Sequence, residues 1–460
     1  MGISQAVQLT LAFFLNLVAA RYLGDTDFGK YAVASVLSFF VFMFDDLGMS
    51  TYATREMARN PEQGPALLAN GLGAKLLLIP LPLIFVGIYV SLFSFPADKI
   101  IAILLFAGFG IFYSFNQLFN AVYRAHERLE YEMLVYILEK GFIAVIAIIL
   151  LMQGKGLITF CAIFLLGGFF SFSVNVAVIR KRFIRHWPRF SRQGMAALLR
   201  ASFVLGLFWF LTNIHERIDV LMLTVMKTDA MVGWYSAAYK LIVVANVVPM
   251  ILMTATLPRI SRVDKGNPAE VERIFHLGFK FLMYAAMPMT AGTLFLADRM
   301  IPFVFGVDFL PGAAALRILI FASAVDFFSV FFAGFLIAWD RQNRLTVLQG
   351  IAIVVNVILN LILIPRFGFI GAAAATVISR GVVFGACTCF VLERFRKIRF
   401  LPVIQGAAAT LVMALFLWIW RGGLLPAIGI AVLIFGVTLY LAGGFHIEEI
   451  MLMKKTVNSQ

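Results

Sequence analysis

The sequence predicts an all-α polytopic membrane protein with about fourteen transmembrane helices. Of its 460 residues, 62% are hydrophobic and only 13% are charged, and the mean hydropathy is +0.94. Soluble globular domains do not have this composition. Apolar runs long enough for a helix to cross the hydrocarbon core of a bilayer, about 20 residues each, recur along the chain.

Short polar connections separate fourteen apolar segments. The predicted spans are 1–20, 30–53, 72–93, 99–122, 133–152, 156–179, 201–226, 233–258, 276–297, 312–338, 345–364, 371–392, 402–420 and 425–442. The longest polar connection, 180–200, is too short for an independent catalytic domain. Because Met1 opens directly into an apolar run without a basic leader, we expect no signal peptide and a first helix that begins slightly upstream.

Motifs that would indicate an enzyme are missing. The sequence contains no phosphate-binding G-x-x-x-x-G-K-[ST] loop, no H-E-x-x-H and no Asp-rich magnesium motif. Its three cysteines, Cys161, Cys387 and Cys389, lie in apolar segments and form neither a disulfide framework nor a zinc spacing. We therefore expect a non-enzymatic protein without a metal or cofactor.

Lysine and arginine predict the orientation. With the N-terminus in the cytoplasm, 26 of the 38 basic residues fall on the cytoplasmic side and 8 on the opposite side. This asymmetry predicts that both termini are cytoplasmic. It also explains the net charge of +14 by topology, without nucleic-acid binding. The basic stretch 180–192 is expected to contact anionic lipid.

A hairpin of two spans, 201–258, carries charges where lipid disfavours them. Arg217 and Lys240 lie at similar distances from the predicted turn at Asp229, so antiparallel arms would place both cations at similar depth. One interpretation is a cationic lining for an anionic substrate. The alternative is that Arg217 is neutralised by Glu216 or Asp219 and only joins two helices.

Five acidic side chains in predicted spans are candidates for coupling to a proton or sodium ion. Intramembrane acids often mark ion pathways, but they also form hydrogen bonds between helices, and both interpretations stay open here. The five candidates are Asp45, Asp46, Glu216, Asp219 and Asp326.

An internal echo predicts two parallel repeats. Residues 28–34 read FGKYAVA and residues 232–238 read VGWYSAA, at equivalent positions six spans apart. The predicted domains are accordingly an N-terminal lobe of six spans (1–200), a C-terminal lobe of six spans (201–400), and two final helices with a cytoplasmic tail (401–460).

Several short motifs resemble the Wzx-type polysaccharide-biosynthesis (O-antigen) flippases, which are relatives of the lipid II flippases and the multidrug and toxin extruders. The matching stretches are Ala20-Arg21-Tyr22-Leu23-Gly24 with Phe28-Gly29 and Tyr31, Asp46-Leu47-Gly48 with Thr54-Arg55-Glu56, Arg217-Ile218-Asp219 leading to Val232-Gly233, and Phe305-Gly306 with Asp308-Phe309. Their order and spacing extend the resemblance over nearly the whole chain.

The resemblance implies two six-helix lobes, two extra helices and alternating access in the cytoplasmic membrane. It also implies a substrate, an undecaprenyl-diphosphate-linked oligosaccharide that is flipped to the outer leaflet, with a polysaccharide polymerase or glycosyltransferase as partner. Arg21, Arg55, Arg217 and Lys240 match positions where the family places cations, which makes them the expected substrate-binding residues.

Two other functions are weighed against this one. A cation-coupled multidrug exporter would need an apolar, aromatic pocket with an acid for cationic drugs, whereas a diphosphate needs arginine or lysine. A membrane glycan polymerase or ligase is disfavoured because no long outer loop exists to hold its site.

Overall fold

The computed structural model describes residues 2–184, 189–263, 268–395 and 400–444, and all regular structure within these ranges is helical. The first nine α-helices are α1 (Gly2–Asp46), α2 (Met49–Arg59), α3 (Gly64–Leu78), α4 (Pro80–Leu92), α5 (Ala97–Ala125), α6 (Leu129–Met152), α7 (Leu157–Arg182), α8 (Arg192–Ile214) and α9 (Ile218–Met226). The following eight are α10 (Asp229–Ala245), α11 (Val247–Val263), α12 (Pro268–Phe305), α13 (Gly312–Ala338), α14 (Gln342–Phe367), α15 (Phe369–Leu392), α16 (Leu401–Ile419) and α17 (Leu424–Leu441).

The first helix is a hairpin. Gly24 interrupts α1 with φ 72 and ψ 179, a left-handed φ that glycine adopts without a Cβ penalty. Tyr31 donates a hydrogen bond to Asn16 over 3.2 Å, although a continuous helix would hold these residues roughly 22 Å apart. The chain therefore reverses at Gly24, and α1 contains two antiparallel helices.

The predicted number of spans is confirmed. Thirteen helical segments in the described ranges are long and apolar enough to cross a membrane, and the first of them contains the α1 hairpin. Each predicted span has a helical counterpart. Helices suit this environment because a bilayer offers no water to satisfy backbone N–H and C=O groups.

The described residues form two compact units, Met1–Gly233 and Trp234–Gln460. In the first unit, α5 packs against α1 and α7 around a buried core that includes Phe119 and Tyr123. In the second, a phenylalanine-rich core that includes Phe275 and Phe331 joins α12, α13 and α15. By packing, α8 and α9 belong to the first unit, while the repeat boundary near residue 200 stays a prediction from the sequence.

The last two helices pack as a pair. α16 contacts α17, and α16 also lies along α12, where Met413 and Leu417 join Leu296 in a small buried cluster. This pair is the two-helix addition that the sequence predicts after the second repeat. The predicted cytoplasmic tail, from residue 445 onward, lies outside the described residues, as does 185–188 of the basic stretch.

Two glycines of the internal echo contact reciprocal partners inside the first unit. A Cβ atom at Gly29 would collide with the carbonyl oxygen of Asp229. One at Gly233 would collide in the same way with the carbonyl oxygen of Asp25. Each aspartate lies four residues before its own glycine on the same helix, so the two echo segments contact each other symmetrically. Their relation as repeats stays a prediction.

Candidate functional site

The seventh predicted span is a broken helix. α8 ends at Ile214, a turn covers His215, Glu216 and Arg217, and α9 begins at Ile218. The sequence predicts one continuous span, 201–226. The structure differs, because the turn interrupts the helical phase between Ile214 and Ile218. Broken helices of this kind form substrate and ion sites in many transporters.

Arg217 lies at the break. Its guanidinium carbon is 3.8 Å from the centroid of the Phe39 ring, on the second half of α1, and one nitrogen lies 3.3 Å from a carboxylate oxygen of Glu216. The side chain of Arg217 is 28% exposed and that of Glu216 is 53% exposed. The arginine is thus held flat against an aromatic ring while much of its charge stays accessible.

The short helix after the break is firmly held. Tyr89 on α4 donates a hydrogen bond to the carbonyl oxygen of Leu221 over 3.2 Å, and Thr224 accepts one from Lys99 on α5 over 2.6 Å. Asp219, in the first turn of α9, is only 2% exposed. These contacts hold α9, which begins directly after Arg217.

The other predicted cations occupy different elements. Arg21 is exposed on α1 just before the Gly24 reversal, and Arg55 is exposed on α2. Lys240 is half-buried on α10, within the second unit. The first unit therefore holds Arg21, Arg55 and Arg217, and the predicted common depth of Arg217 and Lys240 stays a prediction.

Asp45 and Asp46, two of the predicted ion-coupling acids, are buried at the end of α1 with Lys75 of α3. The Lys75 ammonium lies 2.7 Å from Asp46 and 3.9 Å from Asp45, and it donates a hydrogen bond to Ser114 on α5 over 2.6 Å. Lys75 is one of the 26 basic residues that the sequence assigns to the cytoplasmic side, and its side chain is fully buried among the helices. Its position inside the predicted span 72–93 was the available signal for a role as a buried ion-pair partner.

Asp326, another predicted ion-coupling acid, is part of a buried network in the second unit. It forms an ion pair with Arg380 of α15 and accepts a hydrogen bond from Asn246 over 3.0 Å. Arg380 also donates to the Tyr239 hydroxyl over 2.7 Å. The sequence shows Arg380 and Asp326 as separate intramembrane charges, and only the packing of α13 against α15 makes them a pair.

A third ion pair was missed because its members lie near predicted turns, where charges are common. Lys99, at the start of α5, is 2% exposed and lies 2.5 Å from Asp229 at the start of α10. Nearby, Lys30 of α1 lies 2.5 Å from Asp98.

Within the described part of the chain, no three His, Cys, Asp or Glu side chains gather as a metal site would require.

Comparison with known proteins decides the family. The sequence profile of the polysaccharide biosynthesis protein family matches residues 1–264, which is more than half of the chain. The chain belongs to this family. The match includes the Gly24 reversal, the Asp45–Lys75 cluster and the helix break at Arg217.

A curated relative of this family member is the probable low-salt glycan biosynthesis flippase Agl15 of Haloferax volcanii. The two sequences are 26% identical over 169 residues. The matched stretch covers 36% of each chain, so the chain spans about a third of the length of that relative.

Solved structures share the fold of this family member over most of its length. The lipid II flippase MurJ, in an inward-closed conformation, superposes with a TM-score of 0.81 at 16% identity, covering 96% of this chain and 97% of MurJ. An inward-facing multidrug transporter of the MATE family superposes with a TM-score of 0.68 at 16% identity, covering 85% and 96%. The predicted all-α polytopic fold is confirmed, with thirteen candidate membrane-spanning segments in the described residues.

Proposed function

We propose that this protein flips a lipid-diphosphate-linked oligosaccharide from the inner to the outer leaflet of the cytoplasmic membrane, by alternating access, for the synthesis of cell-surface polysaccharide. Membership of the polysaccharide biosynthesis family supports the pathway. The name of the Haloferax relative, a glycan biosynthesis flippase, supports the reaction. The multidrug transporter likeness concerns the fold alone.

The observation that carries the proposal is Arg217 at the helix break. A diphosphate carries several oxygens that arginine contacts bidentately through its planar fork of N–H donors. Phe39 holds one face of that fork and leaves the donors at its edge accessible, since the side chain is 28% exposed. A cationic drug would be repelled by the same group. Arg21, Arg55 and Lys240 remain our proposed additional phosphate contacts.

The orientation is part of the proposal. Both termini lie in the cytoplasm, which follows from the excess of basic residues on one set of connections. In this orientation Arg128, between α5 and α6, is cytoplasmic, and Lys155, between α6 and α7, lies outside.

A polymerase or glycosyltransferase acts before or after flipping as a functional partner.

Depletion of the protein in cells tests the reaction class. We expect lipid-linked oligosaccharide to accumulate in the inner leaflet, while sensitivity to cationic drugs stays unchanged. Drug sensitivity without accumulation would instead favour the multidrug exporter. In the depleted cells, we expect re-expression of the control variant Arg128→Ala to relieve the accumulation and re-expression of Arg217→Ala to leave it in place. This result would support the role of Arg217.

A further inference from the structure

The end of α1 buries more negative charge than its partner neutralises. Asp45 and Lys75 have fully buried side chains, and the side chain of Asp46 is 8% exposed. With all three groups ionised, the cluster would hold two negative charges and one positive charge. A buried, uncompensated charge is so unfavourable that such a group takes up or releases a proton instead.

The two carboxylates are not equivalent. Asp46 accepts hydrogen bonds from the Lys75 ammonium over 2.7 Å, from the Ser50 hydroxyl, and from the Ser50 backbone N–H over 3.3 Å. Among the described residues, no donor lies within hydrogen-bonding geometry of either carboxylate oxygen of Asp45; the Ser114 hydroxyl acts on it from α5, and the Lys75 ammonium is 3.9 Å away. Asp46 is therefore the direct partner of the ammonium, and Asp45 is the carboxylate without a close counter-charge.

The groups that face Asp45 favour a proton over a metal ion. Lys75 from α3 and the neighbouring Asp46 are the charged groups that act on Asp45, and α5 contributes the Ser114 hydroxyl. The ammonium already occupies the position of a cation, between Ser114 and Asp46. A sodium ion would have to sit beside that ammonium, whereas one proton makes the cluster neutral.

We propose that Asp45 is a buried proton-binding site and that the neighbouring turn transmits its protonation state. Leu47 and Gly48 follow directly with φ of 41° and 80°, so α1 ends beside the acid. Gly48 packs against α8 so closely that a Cβ atom there would lie 2.5 Å from the backbone nitrogen of Gly206. α8 ends at the turn that holds Arg217. The packing of Gly48 against α8 therefore connects the proposed proton site to the helix break at Arg217.

The direct test is infrared spectroscopy of the full-length protein in lipid films at mildly acidic pH. The C=O stretch of a protonated carboxyl group is separate from that of a carboxylate, and its area counts protonated acids. We expect one such band in the wild type that is lost in Asp45→Asn, which resembles the protonated acid in shape and charge. Asp326→Asn is the matched control, because that acid is paired with Arg380 and should leave the band unchanged.

A second variant tests the charge balance in the opposite direction. Lys75→Gln removes the resident cation, so both acids should be protonated and the band area should about double, as expected for buried acids without a counter-charge. An unchanged band in either Asp45→Asn or Lys75→Gln would overturn the proposal, so failure of one variant to fold leaves the other decisive. Loss of the band on adding sodium at fixed pH would also overturn it, in favour of a sodium site.

The consequence for transport rests on the proposed flippase function. In proteoliposomes, a gradient of one pH unit should change the wild-type flipping rate by up to about tenfold for one coupled proton. The flipping rate of Asp45→Asn should not depend on the pH gradient. Absence of flipping in the wild type would reject the flippase function while the infrared result stands. Flipping without the Asp45-dependent band would reject the proton site alone.

Discussion

The guanidinium of Arg217 stacks on the ring of Phe39, with 3.8 Å between the guanidinium carbon and the ring centroid. The two residues lie on different helices, and Arg217 lies where one of those helices is broken. Arg217 also lies 3.3 Å from Glu216, so a cationic lining and a structural ion pair both stay as interpretations that substitution can separate. Glu216, the acid beside Arg217, is 53% exposed and does not need the arginine to compensate a buried charge.

Substitution of Arg217 therefore separates the two roles. We expect Arg217→Ala to abolish flipping while the melting temperature of the purified protein stays close to the wild-type value, because an exposed pair contributes only about 0–1 kcal/mol. Arg217→Lys should keep partial activity, since the charge survives without the bidentate fork. Recovery of flipping in a double variant Arg217→Ala/Glu216→Gln would contradict substrate binding and leave an ion pair as the explanation.

The aromatic partner should matter through its π face. Phe39→Leu removes the cation–π contact, which is worth about 0.5–2 kcal/mol, so we expect the flipping rate to fall by about 2- to 30-fold. Phe39→Trp should retain the rate because tryptophan offers a stronger π face. Initial rates at equal protein amounts measure both variants, and equal rates for Phe39→Leu and the wild type would show that the stacking has no role.

The reciprocal glycine contacts should not tolerate a methyl group. We expect Gly29→Ala and Gly233→Ala to lower the melting temperature, since each new Cβ atom would overlap a backbone carbonyl oxygen. Gly141→Ala is the matched control: that glycine lies inside α6 with open space around it, and alanine there should be neutral or stabilising by up to about 1 kcal/mol. Equal melting temperatures for Gly29→Ala and Gly141→Ala would refute the close contact.

The buried pair of Lys99 and Asp229 should show strong coupling. Either Lys99→Met or Asp229→Asn leaves one buried charge without its counter-charge, which costs about 3–5 kcal/mol. The double variant removes both charges and should recover most of the lost stability. Thermal unfolding of the four proteins completes the double-mutant cycle, and additive losses would show that the pair is not coupled.

Cysteine labelling tests the orientation. In a background where the exposed Cys389 is replaced by alanine, a cysteine at Arg128 should be protected from an impermeant maleimide in intact cells, and one at Lys155 should react. Both positions are exposed in short connections. The reverse labelling pattern would invert the proposed topology.

The sequence predicts the helices well and their breaks poorly. Apolar length alone locates each span, because lipid leaves the backbone no alternative to helix. The similar segments around Gly29 and Gly233 mark two helix starts that do touch. The turn at Arg217 contains no glycine or proline, so the sequence gives no signal for this helix break. Likewise, Lys75 and Asp46 are 29 residues apart in the chain, and only the packing of α3 beside the end of α1 makes them an ion pair. Charge partners across helices depend on helix rotation, which hydropathy does not specify.

The most direct test of the central claim is a flipping assay with the purified protein in liposomes that contain a fluorescent lipid-diphosphate oligosaccharide. A membrane-impermeant reductant quenches only the label in the outer leaflet. We predict that the wild type and the control variant Arg128→Ala make the whole label accessible over time. Arg217→Ala should leave the inner-leaflet half protected, as in protein-free liposomes. Protection of the inner-leaflet half with the wild type, or full accessibility with Arg217→Ala, would contradict the account.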